Sequence, residues 1–227
     1  VEAEQSQIYA LRRVRMVEDQ IARRGVRDEN VLAAMRSVPR HLFVPDSQVD
    51  DAYRDGALPI GFGQTISQPY IVAIMTALLK LDVRSRVLEI GTGCGYQTAV
   101  LAELVGEVYT IERVPQLAER AAETLGRLGY RAVQTLVGDG SRGWREHAPY
   151  DAIIVTAAAA EAPFALLREL APDGRLVVPI GAAHGEQMLT VFVRRGDTFE
   201  EHEELLCRFV PLIEDRGPEQ DDPGGEG

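Results

Sequence analysis

Apolar positions in the first 40 residues recur at helical spacing. Ile8, Leu11, Val14, Val17 and Ile21 form one stripe that stops at Gly25, since residues three or four apart share a face of a helix. A second, shorter helix is predicted after Asp28. It carries Val31, Leu32 and Met35 and ends before Pro39, because a residue that precedes proline disfavours helical backbone. From Arg40 to Ile66 neither period holds, and Pro45, Gly56, Pro59, Gly61 and Gly63 interrupt the run, so irregular structure is expected. Ser67 reads as the N-cap of a third helix, with Pro69 in its first turn and Ile71, Val72, Met75, Leu78 and Leu79 as its buried face.

Beyond residue 80 the pattern changes. Short β-rich runs at 86–90, 107–112, 132–137, 151–155 and 175–178 alternate with helical stretches at 97–104, 115–128 and 164–170. That order predicts an α/β fold, a doubly wound and mostly parallel sheet of Rossmann-like type. Two last runs, 188–194 and 203–210, flank Gly196-Asp197 and read as an antiparallel hairpin at the sheet edge. The expected organisation is an N-terminal helical cap with a substrate loop (1–80), a cofactor-binding body (81–213) and an acidic tail (214–227), within one structural domain.

Composition narrows the class. At 227 residues and 45% hydrophobic content, one well-buried core is affordable. No apolar run reaches the 18 or so residues of a membrane span, and the polar opening, Val1 to Arg15, lacks the apolar centre of an export signal. A cytoplasmic location is expected, and the opening Val leads us to expect a few residues before it. Cys94 and Cys207 are the two cysteines, too few for a disulfide framework. His41, His147, His184 and His202 lack metal-ligand spacing, so no metal is expected.

Net charge is −11, of which the Pro- and Gly-rich tail from Glu214 carries −5 through six acids and one arginine, leaving −6. The tail is expected to be disordered. An acidic body argues against nucleic acid and anionic membrane as partners. No apolar dimer face stands out, and a monomer is the default.

The candidate chemistry begins at Val87-Leu88-Glu89-Ile90-Gly91-Thr92-Gly93-Cys94-Gly95-Tyr96, where a strand runs into a glycine-rich turn and then a helix. Glycines let the backbone approach a ligand closely, and the carboxyl ends of strands are where open α/β sheets bind ligands. A dinucleotide fingerprint needs a glycine where Tyr96 stands. The spacing instead resembles the first motif of class I methyltransferases, in which an acid at the position of Glu89 helps hold the amino-acid end of S-adenosylmethionine. Glu112, about 20 residues after the first glycine, matches an acid that accepts hydrogen bonds from ribose hydroxyls; a surface pair with Arg113 is the plainer reading. Asp139, between Gly138 and Gly140, matches an acid that caps the adenine amino group, or else forms a simple Asp-Gly turn.

The run Gly63-Gln64-Thr65-Ile66-Ser67-Gln68-Pro69-Tyr70-Ile71-Val72-Ala73 is more specific. It resembles the protein-L-isoaspartate O-methyltransferase family. So do Arg40-His41-Leu42-Phe43-Val44-Pro45, Gly91 to Ala102, Asp139-Gly140 with Gly143-Trp144, Ala148 to Ala157, and Arg208-Phe209-Val210-Pro211-Leu212. The likeness covers about Met16 to Ile213, departing at Ala160 and Ala162, where bulkier or imino residues are expected.

The resemblance implies that S-adenosylmethionine gives its methyl group to the free carboxylate of L-isoaspartyl residues in damaged proteins and peptides, leaving S-adenosylhomocysteine; D-aspartyl acceptors stay open. It implies Ser67 and Thr65 as catalytic residues, and Gln64, Ile66 and His41 as substrate-binding residues. Cofactor contacts would come from Glu89, Gly91, Thr92, Gly93, Cys94, Gly95, Glu112, Arg113, Asp139, Gly140 and Thr156. The family is known for an unusual order of its last strands, which the sequence leaves open. Since the acceptor carboxylate is ionised at pH 7, direct attack on the methyl carbon is expected without a strong base, aided by hydroxyl and backbone donors rather than an arginine clamp. Ser67 as a mere helix cap is the bland alternative. A methyltransferase for another carboxylate, a small molecule or a nucleic acid, and a cofactor-binding module without turnover, are the competing functions, with a dehydrogenase disfavoured by Tyr96.

Overall fold

A computed structural model describes the backbone of residues 2–183 and 185–213, and side chains from residue 4 onward. The acidic tail and His184 lie outside the described residues. Helix α1 (Glu2–Arg15) runs into a π-helical turn, Met16–Ile21, and a 3-10 turn, Ala22–Arg24. The expected stripe is divided there. Val17 and Ile21 are fully buried, whereas Ile8, Leu11 and Val14 are exposed and Tyr9 takes the inner face of α1. The wider spacing of a π-turn offsets the face of everything after it.

Helix α2 (Glu29–Ser37) starts as expected, with the Asp28 carboxylate accepting from the amides of Asn30 and Val31. The stretch expected to be irregular holds two 3-10 turns, Arg40–Phe43 and Asp46–Asp51, and then a small antiparallel hairpin of β1 (Leu58–Gly61) and β2 (Gln64–Ile66).

Helix α3 spans Pro69–Leu79, and its N-cap is Gln68, with no side-chain cap bond. The expectation for Ser67 is corrected by one residue. Proline fits best at the first helical position, where its missing N–H is not needed, so the cap falls on Gln68 and the Ser67 hydroxyl is not spent on it.

The main sheet has seven strands: β3 (Arg86–Ile90), β4 (Glu107–Glu112), β5 (Val133–Val137), β6 (Tyr150–Val155), β7 (Leu170–Gly181), β8 (Gln187–Arg195) and β9 (Thr198–Cys207). Their order is β5-β4-β3-β6-β7-β8-β9. The first five in that order are parallel, and the last two strands run antiparallel in chain order. Helices α4 (Tyr96–Ala102), α5 (Pro115–Arg127) and the short α6 (Phe164–Leu167) connect the parallel strands. β3 lies between β4 and β6, so chain direction across the sheet reverses at its carboxyl end.

The last strand comes earlier than expected. Arg195 pairs with Thr198 across a tight turn, which starts β9 at once and ends it at Cys207. Likewise α6 stops at Leu167, because Leu170 already pairs with Tyr150 in the sheet.

Packing joins cap and body. Met16, Ile21, Met35 and Phe43 share one buried cluster with Tyr96 and Val100 of α4 and Leu117 and Leu125 of α5. Met75 and Leu79 of α3 pack on Val87, Val108 and Ile154 of the sheet. Residues 63–68, between these two contacts, are therefore held over the carboxyl end of β3.

Candidate active site

The glycine turn after β3 is fastened from three sides. Gly91 has φ +95°, a region that side chains rarely adopt, and a Cβ there would lie 2.4 Å from Thr156 Oγ1. That hydroxyl instead donates to the Gly91 carbonyl at 2.7 Å. The amides of Gly91 and Thr92 donate to the Ile111 carbonyl at the end of β4. The amide of Gly93 donates to Oε2 of Glu112 at 2.7 Å. Gly95, at φ +88°, opens α4.

Glu112 is nearly buried at the end of β4, and its Oε1 accepts from the Val114 amide at 2.8 Å. A carboxylate oxygen accepts two hydrogen bonds. One place on each oxygen is thus left for a ligand diol, and Glu112 borders the cavity above the turn. Its neighbour Arg113 donates to the Ile213 carbonyl at 3.3 Å and also borders the cavity.

The other two acids behave differently. Glu89 is fully buried beneath the turn and is not part of the cavity wall. Its Oε2 accepts from the hydroxyls of Thr98 (2.5 Å) and Thr110 (2.7 Å), while its Oε1 has no partner among the described residues. Burial pushes its carboxyl up to about 8, against the pull of the two hydroxyls. Asp139 also stands behind the wall. Its Oδ1 accepts from the amide and hydroxyl of Ser141, which caps the turn Gly140–Arg142, and Gly140 is the residue that reaches the cavity. A Cβ on Gly140 would meet Ile90 at 2.5 Å, so the turn sits directly on the end of β3.

The cavity, about 860 Å³ including its open mouth, is bordered by Gly91 to Cys94, Glu112, Gly140 and Thr156, and also by Gln64, Thr65, Ile66 and Ser67. Twelve of the sixteen expected residues thus meet around one space. Gly95 stands just behind the turn, packed on Ala121 and Leu125. Cys94 is half-buried, and burial pushes its thiol up to about 11; a neutral thiol fits a packing role.

A second groove adjoins the cavity, lined by Arg24, Gly56, Gln68, Tyr70, Leu206 and Phe209 among others. It shares Thr65, Ser67, Thr156 and Val210 with the cavity. Among the described residues, the hydroxyls of Thr65 and Ser67 make no hydrogen bond.

His41 is not brought to either space. Its Nδ1 lies 2.7 Å from the Tyr53 hydroxyl and its ring stacks on Tyr9 at 4.1 Å, and nothing in this placement supports the expected substrate contact. Burial, and then the nearby Arg13, lower its pKa. The motif that suggested it is held instead by Arg40, whose side chain is fully buried.

One wall of the cavity comes from beyond the last strand. After β9 the chain turns back, the Ala158 amide donates to the Val210 carbonyl, and the Leu212 amide donates to the Ala158 carbonyl. Val210 to Ile213 then close the cavity beside Ala157. Their motif is visible in the sequence, where Arg208 to Val210 read as the end of a last strand that in the structure stops at Cys207.

The protein-L-isoaspartate(D-aspartate) O-methyltransferase family model matches residues 12–217. The chain belongs to this family. A protein-L-isoaspartate O-methyltransferase of Synechococcus sp. (strain JA-2-3B'a(2-13)) is 52% identical over 211 residues, covering 90% of this chain and 86% of the relative. Among solved structures, a protein-L-isoaspartate O-methyltransferase superposes with a TM-score of 0.80 at 32% identity; the match takes in 88% of this chain and 65% of that longer one. A Plasmodium falciparum structure assigned to the same family, in complex with S-adenosyl-L-homocysteine, gives a TM-score of 0.76 at 26% identity over 88% of this chain and 98% of that one. The family's cofactor is S-adenosylmethionine, and the mostly parallel sheet with two antiparallel final strands is its methyltransferase fold.

Proposed function

We propose that the protein methylates the free carboxylate of L-isoaspartyl residues in damaged proteins and peptides, at the expense of S-adenosylmethionine. The observation that carries this reading is the shared wall: Thr65 and Ser67 border both the cavity over the glycine turn and the groove beside it. A donor on one side and a peptide on the other would meet there.

The residues present fit the cofactor. The glycine turn offers backbone where side chains would intrude, Glu112 keeps acceptor capacity for a ribose diol, and Ile111, Val114 and Leu212 give the cavity apolar surface. In this reading Glu89 acts from beneath the turn, its unpartnered Oε1 complementing the positive amino-acid end, and Asp139 acts by fixing Gly140. When bound, S-adenosylmethionine supplies a methyl group activated by a sulfonium.

The chain's own work is positioning. Thr65 and Ser67 offer unspent hydroxyl donors to orient an acceptor carboxylate, and the segment Val210 to Ile213 excludes water from the cavity side. No general base is required, since that carboxylate is ionised at neutral pH. Moderate donors suit the chemistry, because a tighter grip would favour the ground state. The same reading takes damaged proteins as partners without nucleic acid or membrane, an exclusion favoured by the acidic balance of the chain, and the protein as a cytoplasmic monomer.

The test offers labelled S-adenosylmethionine with paired peptides that differ only in isoaspartate against normal aspartate. Base-labile label on the isoaspartyl peptide alone is expected; equal label on both, or none, overturns the reading.

A further inference from the structure

Arg40 is a buried cation without an anion. Its side chain is fully buried in the cap, and among the described residues no carboxylate pairs with it. Its Nε donates to the Ala52 carbonyl at 2.7 Å and its Nη2 donates to the Ser67 carbonyl at 2.7 Å. Among the described residues its Nη1 makes no hydrogen bond of good geometry, and the guanidinium carbon lies 4.8 Å from the centre of the Tyr96 ring, whose hydroxyl favours the charged form. Burying a guanidinium against two carbonyls and a ring is costly, and leaving one nitrogen unsatisfied adds to that cost. Stability alone is a poor reason for this side chain.

The bond to Ser67 has a geometric consequence. The peptide unit is planar and trans, so the N–H of Gln68 points opposite to the Ser67 carbonyl. With that carbonyl turned inward to Arg40, the Gln68 N–H is turned away from the cap interior. Ser67 and Gln68 line the groove, and the Gln68 amide makes no hydrogen bond among the described residues. A charged donor on the carbonyl also polarises the amide and strengthens its N–H.

We infer that Arg40 is a positioning residue: through the Ser67–Gln68 peptide unit it presents the Gln68 N–H to the acceptor carboxylate, whose negative charge balances the buried cation. This rests on the isoaspartyl reading above. Because the acceptor's charge is lost as the methyl ester forms, the interaction belongs mainly to substrate binding and should be seen in KM more than in kcat.

The test compares Arg40→Gln and Arg40→Lys with wild type. For Arg40→Gln, KM for an isoaspartyl peptide should rise about tenfold to a hundredfold, the scale of a lost charge-assisted donor. Its kcat and its affinity for S-adenosylhomocysteine should stay within about threefold, and Arg40→Lys should recover part of the KM. A parallel loss of thermal stability, cofactor affinity and kcat would mean that Arg40 only pins the loop, and would overturn the inference. Should Arg40→Gln fail to fold, wild type supplies the second measurement. Its Gln68 amide proton resonance should move downfield when isoaspartyl peptide is added to the S-adenosylhomocysteine complex, and an unmoved resonance overturns the inference. Wild type that forms no isoaspartyl ester defeats the functional reading itself, a result distinct from either.

Discussion

The backbone N–H of Gly93 donates to Oε2 of Glu112 at 2.7 Å. One carboxylate at the end of β4 thus braces the glycine turn from β3 while bordering the cavity. In Glu112→Gln the side chain keeps its shape but trades one acceptor for a donor, so it can no longer serve Gly93, Val114 and a diol together. Affinity for S-adenosylhomocysteine should fall by about tenfold to a hundredfold, on the scale of one or two lost charged hydrogen bonds. Titration calorimetry measures it; affinity within twofold of wild type would remove Glu112 from the site.

Glu89 is expected to make the site pH-dependent. Its carboxyl is raised from 4.5 to about 8 by burial, so its contribution to stability is complete below pH 4.5 and lost as pH rises through 8. The ligand-free protein should melt at a lower temperature at pH 8.5 than at pH 6, and Glu89→Gln should lessen the difference. A cationic ligand group favours the ionised form, so S-adenosylmethionine should bind more tightly as pH rises towards 8, with proton release. In Glu89→Gln, binding should be weaker and that pH slope absent. A slope that survives the substitution would assign it to another group.

The body of the fold was legible because its signals were local and redundant. Val87, Leu88 and Ile90 form a short apolar run, as a strand buried on both faces requires, and Gly91, Gly93 and Gly95 each occupy positive φ. Features that depend on tertiary contact were not legible. The β1–β2 hairpin pairs only Leu58, Pro59 and Gly61 with Ile66, Thr65 and Gln64, too few residues to show a period and interrupted by a proline. The outward face of Ile8, Leu11 and Val14 follows from a π-turn that no single residue announces. Glu89 adjoins the glycine turn in the sequence, but its place beneath the turn depends on Thr98 and Thr110, which come from α4 and β4. His41 was carried by its motif, in which Arg40 is the residue that reaches Ser67.

Gly91→Ala places a methyl group where Thr156 Oγ1 stands, 2.4 Å away, at φ +95°. The variant should lose roughly 2–4 kcal/mol of stability, the scale of combined backbone strain and steric overlap. Adding Thr156→Ala should relieve the overlap and not the strain, so the double variant should recover part of the loss. Denaturant unfolding of the four proteins checks this; full additivity would separate the two residues.

The Ser67 hydroxyl is not used as a helix cap, because Gln68 occupies that position. Ser67→Ala should therefore leave the melting temperature and S-adenosylhomocysteine affinity nearly unchanged while slowing methyl transfer about tenfold or more, the scale of one oriented hydrogen-bond donor. Unchanged turnover would return Ser67 to a structural role.

The most direct measurement is a crystal structure of the protein with S-adenosylhomocysteine and an isoaspartyl peptide bound together. The account predicts the thioether sulfur over Gly91 to Gly95 and the peptide carboxylate at the hydroxyls of Thr65 and Ser67, separated by a gap that one methyl group spans. A carboxylate bound on another face, or cut off from the sulfur by the Thr65–Ser67 wall, would contradict it.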